Sequence, residues 1–106
     1  GGGGGEIILP GVTDRDPDKC VFVGGLPPEA TELLLFELFT QMGPVERVSL
    51  PRADGDSERH KGFAFVQFAH GDVNRADHSV SYAIRVLNDT RLCGRFINVK
   101  RSSSGG

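Results

Sequence analysis

Phenylalanine does no acid–base work, but a ring left bare on a wet surface has one strong use, which is to stack on the flat face of an unpaired base. Phe63 and Phe65 stand two residues apart in the run Lys61-Gly62-Phe63-Ala64-Phe65-Val66-Gln67-Phe68. In a strand that spacing puts both rings on one face and Ala64, Val66 and Phe68 on the other. Phe22 sits in the same way between Val21 and Val23. If the two segments share a sheet, Phe22, Phe63 and Phe65 crowd one face. Three such rings against water are costly unless something covers them. Alternation places Arg47, Lys61, Asn98 and Lys100 on the same face. Rings bordered by cations suit a single strand, with bases on the rings and phosphates on Lys and Arg.

Other chemistry is poorly supplied. His60, His70 and His78 fall in or beside polar stretches with no Ser or Cys nucleophile pattern near them, so catalysis is not expected. Asp54, Asp56 and Glu58 crowd one loop, where a solvated charged hairpin is the ordinary reading, so no metal and no cofactor are expected. Cys20 and Cys93 are too few for a disulfide scaffold and lack metal-ligand spacing. Gly24-Gly25 is not followed by the Gly-Lys-Ser/Thr of a phosphate loop.

The elements that must carry these residues follow from periodicity and punctuation. Residues 20–24 read as a strand ended by Gly25-Leu26-Pro27-Pro28, and Thr31 is a good N-cap for a helix running to about Met42, stopped by Gly43-Pro44. Residues 45–50 form a second strand, Asp54-Gly55 centres a polar hairpin loop, and residues 62–68 form a third strand. After a polar loop at 69–77, Val80, Ala83, Ile84 and Leu87 recur at helical spacing from a start near Asp77 or Ser79. Residues 96–100 form the last strand, with Ile97 and Val99 inward. The order β-α-β-β-α-β implies an α+β, ferredoxin-like split fold, in which four antiparallel strands carry two helices on one face. Phe96 points outward by alternation and is read as a packing residue at the sheet edge rather than a fourth stacking ring.

One domain accounts for the 106 residues. Residues 1–19 are expected to be a flexible tail, residues 20–101 the domain and residues 102–106 a second tail. The apolar patch Ile7-Ile8-Leu9 before Pro10-Gly11 leaves three readings of the leader open: an appended segment, a disordered one, or one that docks back. No apolar stretch approaches the roughly 18 residues of a membrane-spanning helix, and no signal-peptide pattern opens the chain, so no membrane partner is expected. The net charge of −2 excludes binding nucleic acid through bulk charge alone. Its distribution is uneven: residues 29–46 hold four acids and no base, whereas Arg91, Arg95, Lys100 and Arg101 meet no acid after position 90.

With these elements in place, Lys61 to Phe68 resembles the octamer of the RNA recognition motif (RRM) at every defined position. Val21-Phe22-Val23-Gly24-Gly25-Leu26 is similar to that family's first-strand hexamer, with Gly25 where Asn is frequent. The resemblance spans about residues 20–101. It implies single-stranded RNA as ligand, with Phe22, Phe63 and Phe65 stacking on bases and Lys61 meeting a phosphate. It further implies Asn98 and Lys100 on base edges and Arg101 on the backbone.

The first helix is more apolar than one sheet-facing stripe requires. At about 100° per residue, Leu35, Leu38, Phe39 and Met42 make the core stripe while Leu33 falls nearly opposite. Leu33 and Phe36, three apart, are expected to form a partner-docking patch. The helix and the later segments Ser79-Val80-Ser81-Tyr82-Ala83-Ile84 and Gly94-Arg95 resemble a subgroup of RRMs that serve nuclear RNA processing and decay, in the nuclear exosome targeting complex and in splicing factor 3b. That resemblance implies a nuclear protein whose helical face docks a proline-rich scaffold segment. Departures are a longer loop at 69–78, Cys93 in place of Tyr and Phe96 in place of Pro. An RRM that binds only protein or peptide is the competing reading, kept open by the acidic stretch 29–46.

Overall fold

The computed structural model of the chain describes residues 6–12, 19–52, 60–69 and 75–102, and side chains at 75–77 fall outside that description. The elements are β1 (Glu6–Ile8), β2 (Cys20–Gly24), α1 (Glu32–Phe39), β3 (Val45–Ser49), β4 (Phe63–Phe68), α2 (Arg75–Leu87), β5 (Thr90–Leu92) and β6 (Arg95–Arg101). They form one antiparallel sheet ordered β1-β3-β4-β2-β6-β5. Its middle, β3-β4-β2-β6 with α1 and α2, is the expected ferredoxin-like β-α-β-β-α-β fold.

Alternation decides which side is filled. Val21, Val23, Val48, Ala64, Val66, Ile97 and Val99 are buried and meet Leu35, Phe39, Val80, Ala83 and Leu87 from the helices. Phe39 and Phe68 anchor this layer with ring centroids 6.3 Å apart. Each such ring taken out of water contributes about 1.5–3 kcal/mol. Helix α1 begins where Thr31 accepts a hydrogen bond from the Leu34 amide. Its regular part ends at Phe39, earlier than the Gly43-Pro44 stop, because Gln41 and Met42 donate three residues back to Leu38 and Phe39 and tighten the last turn.

Two strands exceed the four expected. β1 lies within the leader assigned to a flexible tail. Its backbone pairs with β3 in the register Glu6↔Ser49 and Ile8↔Arg47, and Ile7 packs against the core. Residues 6–8 are therefore part of the sheet, which corrects the tail boundary there. β5 pairs with β6 through a two-residue turn in which Cys93 (φ 51°) and Gly94 (φ 85°) are both left-handed, the geometry that matches strand twist. The Asp54-Gly55 hairpin tip, the acids of that loop and residues 70–74, His70 included, lie outside the described residues, and α2 starts at Arg75, earlier than the expected Asp77 or Ser79, so residues 75–78 of the expected loop are helix.

Candidate nucleic-acid interface

The open face is built by β2 and β4 lying side by side. Pairing Phe22↔Phe65 and Gly24↔Phe63 brings the three expected rings into one triangle. Phe22 lies 5.7 Å from Phe63 at an interplanar angle of 23°, and 5.7 Å from Phe65, edge-on. Phe63 and Phe65 are 5.8 Å apart, also edge-on. All three are half-buried, in contrast to the enclosed Phe39 and Phe68. Two glycines make room. A Cβ on Gly24 would come within 2.8 Å of the Phe22 ring, and one on Gly25 (φ +73°) within 2.8 Å of the Phe96 carbonyl oxygen on β6. In this chain a side chain at Gly25, where the family often has Asn, would meet β6 backbone.

Among the described residues of the leader, 6–12 and 19, none is paired over the rings. The described part of it continues the sheet edge beyond β3, and the Leu9 amide donates to the Glu46 carbonyl.

The expected cations divide. Lys100 is exposed, pairs with Phe22 across β2 and β6, and holds its Nζ 5.2 Å from that ring's centroid. Asn98 is exposed on the same face, opposite Gly24. Lys61 is exposed just before β4, where the Lys61 amide donates to the Pro51 carbonyl, and His60 Nδ1 accepts from the Gly62 amide while Nε2 meets the Pro27 carbonyl at 2.8 Å. Arg47 is on the open face but engaged, with Nε and Nη2 at 2.8 and 2.7 Å from one Glu6 carboxylate oxygen. Arg101 is a correction. It shares the parity of Ile97 and Val99, and its guanidinium donates to Ser81 Oγ on α2 at 3.1 Å. The resemblance carried it one position past the face on which Lys100 sits.

Beside Phe65 the face dips into a hollow of about 390 Å³ lined by Cys20, Arg47, Ser49, Pro51, Gln67 and Ser102. Its floor is a polar chain that sequence reasoning missed. Cys20 Sγ donates to Gln67 Oε1, Gln67 Nε2 donates to Glu46 Oε1 at 2.6 Å, and Lys19 pairs with that same oxygen. The parity of Cys20 and Gln67 with Phe22 and Phe65 was the available signal.

Phe96 is not the packing residue expected. It is 62% exposed, and the Arg91 guanidinium lies 5.2 Å from its centroid. On the helical side Leu33 is 59% exposed. Phe36 is half-buried and packs on the core with Leu34, because α1 rests on β1 as well as on β3 and β4. Among the described residues, the exposed large apolar side chains on α2 are Tyr82 and Val86, one helical turn apart. Among the described residues no cluster of acids, histidines or cysteines could hold a metal, and no helix is long and apolar enough to cross a membrane.

Comparison with known proteins agrees with this geometry. The model of the RNA recognition motif family matches residues 21–98. RNA-binding protein 7 of Danio rerio is 44% identical over 91 residues, 85% of this chain and 32% of the relative. Spliceosome-associated protein 49 of Schizosaccharomyces pombe is 38% identical over 90 residues, 85% of this chain and 25% of the relative. The chain thus spans about a third or less of these curated relatives' length. The Rna15 RRM solved with bound RNA (GU) superposes with a TM-score of 0.67 at 30% identity, over 83% of this chain and 86% of that one. A matched octamer and hexamer, a split βαβ sheet with its rings on the open face, and a family match over most of its length place this chain in the RNA recognition motif family, whose members are binding modules rather than enzymes.

Proposed function

We propose that the chain binds single-stranded RNA on the open face of its sheet. Unpaired bases stack on Phe22, Phe63 and Phe65, with Lys61, Asn98 and Lys100 holding phosphates and base edges. The observation that carries this reading is the ring triangle, three phenylalanines within 5.8 Å of one another on the face opposite the helices. The RNA held by the Rna15 RRM, a neighbour in fold, supports it.

The names of the relatives, an RNA-binding protein and a spliceosome-associated protein, support a role in RNA processing, and the subgroup resemblance extends the proposal to a nuclear splicing or RNA-decay assembly. The helical face would then take a proline-rich scaffold segment. Exposed Leu33 is its first contact, Tyr82 and Val86 supply further apolar surface, and Phe36 lends only a partial edge. Titrating short single-stranded RNA into isotope-labelled protein tests the central reading. Resonance shifts are expected at Phe22, Phe63 and Phe65. Shifts absent there, with peptide moving only α1, would instead favour a protein-binding domain.

A further inference from the structure

We infer that Phe96 and Arg91 form a fourth base-stacking subsite, which lengthens the RNA footprint by one nucleotide beyond the ring triangle. The inference rests on the RNA-binding reading above.

Position comes first. Ile97 and Val99 are buried, while Phe96, Asn98 and Lys100 alternate with them on the other side of β6. Lys100 Nζ lies over the Phe22 ring, so this side of β6 is the face that carries the triangle. Phe96 is therefore continuous with the interface, two residues along the strand from Asn98.

Exposure comes second. The Phe96 side chain is 62% exposed, the most of any large apolar side chain among the described residues, and it borders a surface already rich in rings. A packing role would have covered it.

Charge comes third. Arg91 is the cross-strand partner of Phe96, and its guanidinium lies 5.2 Å from the ring centroid. The guanidinium lies over one face of the ring, so a base stacks on the opposite face and Arg91 serves as donor to the adjoining phosphate. Ring and fixed cation together make the minimal nucleotide site, a stacking surface with a counter-charge for the adjoining phosphate. Farther along the same face of β6, exposed Lys100 adds a second cation, whereas Arg95 has the parity of Ile97 and Val99 and lies on the other side.

β5 makes the subsite possible. Without the Cys93-Gly94 turn there would be no strand to hold Arg91 opposite Phe96. The backbone of Gly25 lies close under the Phe96 carbonyl, so β6 is supported where the ring projects.

The test is an affinity ladder of oligouridines, measured by anisotropy on the full chain. Affinity of the wild type should rise about five-fold or more when a trinucleotide is extended by one residue at one of its two ends. Phe96→Ala should remove that step and leave trinucleotide affinity within two-fold. Phe96→Trp should keep the step, and Phe96→Leu, apolar but without a π face, should lose it. Arg91→Ala should reduce the step and make binding of the longer oligomer less salt-dependent. A step insensitive to Phe96, or no step at either end, would overturn the subsite while leaving the triangle in place. Failure of Phe22→Ala to weaken the trinucleotide would overturn the RNA-binding reading itself, and the fourth subsite with it.

Discussion

At the scale of single residues, the two glycines after Val23 separate function from stability. A methyl on Gly24 meets only the outer edge of the Phe22 ring, which can turn. Gly24→Ala should therefore fold with a loss of less than about 1 kcal/mol and yet bind RNA more weakly, because the ring it displaces is a stacking surface. Gly25→Ala meets the β6 backbone and adopts a left-handed φ, so it should cost on the order of 1–3 kcal/mol of stability. Thermal melts of both variants beside their RNA affinities check the contrast. Arg101 gives a third outcome at this scale. With its guanidinium on Ser81, Arg101→Ala should leave RNA affinity within two-fold, whereas Lys100→Ala should weaken it. The ring positions were legible because a strand has period two and Phe22, Phe63 and Phe65 obey it. Arg101 was misread because a motif transferred by position says nothing about which side of the sheet the chain's next residue takes.

Elements explain what periodicity could not. Helix α1 looked too apolar for one sheet face because periodicity could not show that the leader adds a strand beside β3. β1 is three residues long, and its pattern, Glu6-Ile7-Ile8, is too short to show alternation. Once β1 extends the sheet, Leu34 and Phe36 have something to rest on, and only Leu33 is left fully outside. The same strand brings Glu6 to Arg47. Glu6→Gln should release that guanidinium to a phosphate and steepen the slope of log affinity against log salt by about 0.7, the increment for one more contact on a single strand. An unchanged slope would mean that Arg47 does not reach RNA. β5 was invisible for a different reason. Its turn carries Cys at a left-handed position where Asn, Asp or Gly is usual, so the hairpin lacks its ordinary signature. Cys93→Asn should raise stability by about 0.5–1 kcal/mol, read as a higher denaturation midpoint.

Over the whole molecule, charge limits what the interface can do. A chain of net charge −2 with Glu46 and Glu6 at the β3 side of the open face has no long-range field with which to gather RNA. Stacking must supply most of the affinity, and the salt dependence should be shallow. Two or three phosphate contacts correspond to a slope of about −2 or weaker. A much steeper slope would mean that the contact surface is larger than the sheet. The domain spans about a third or less of its longer relatives, and the partner proposed for the helical face would raise the effective concentration of a weak RNA site. The most direct measurement is the affinity of a short oligouridine for the wild type, Phe22→Ala and Phe65→Ala, each shown by circular dichroism to be folded. The account predicts that each truncation costs about 1–3 kcal/mol of binding. Losses of no more than a few tenths of a kcal/mol in both folded variants would contradict it.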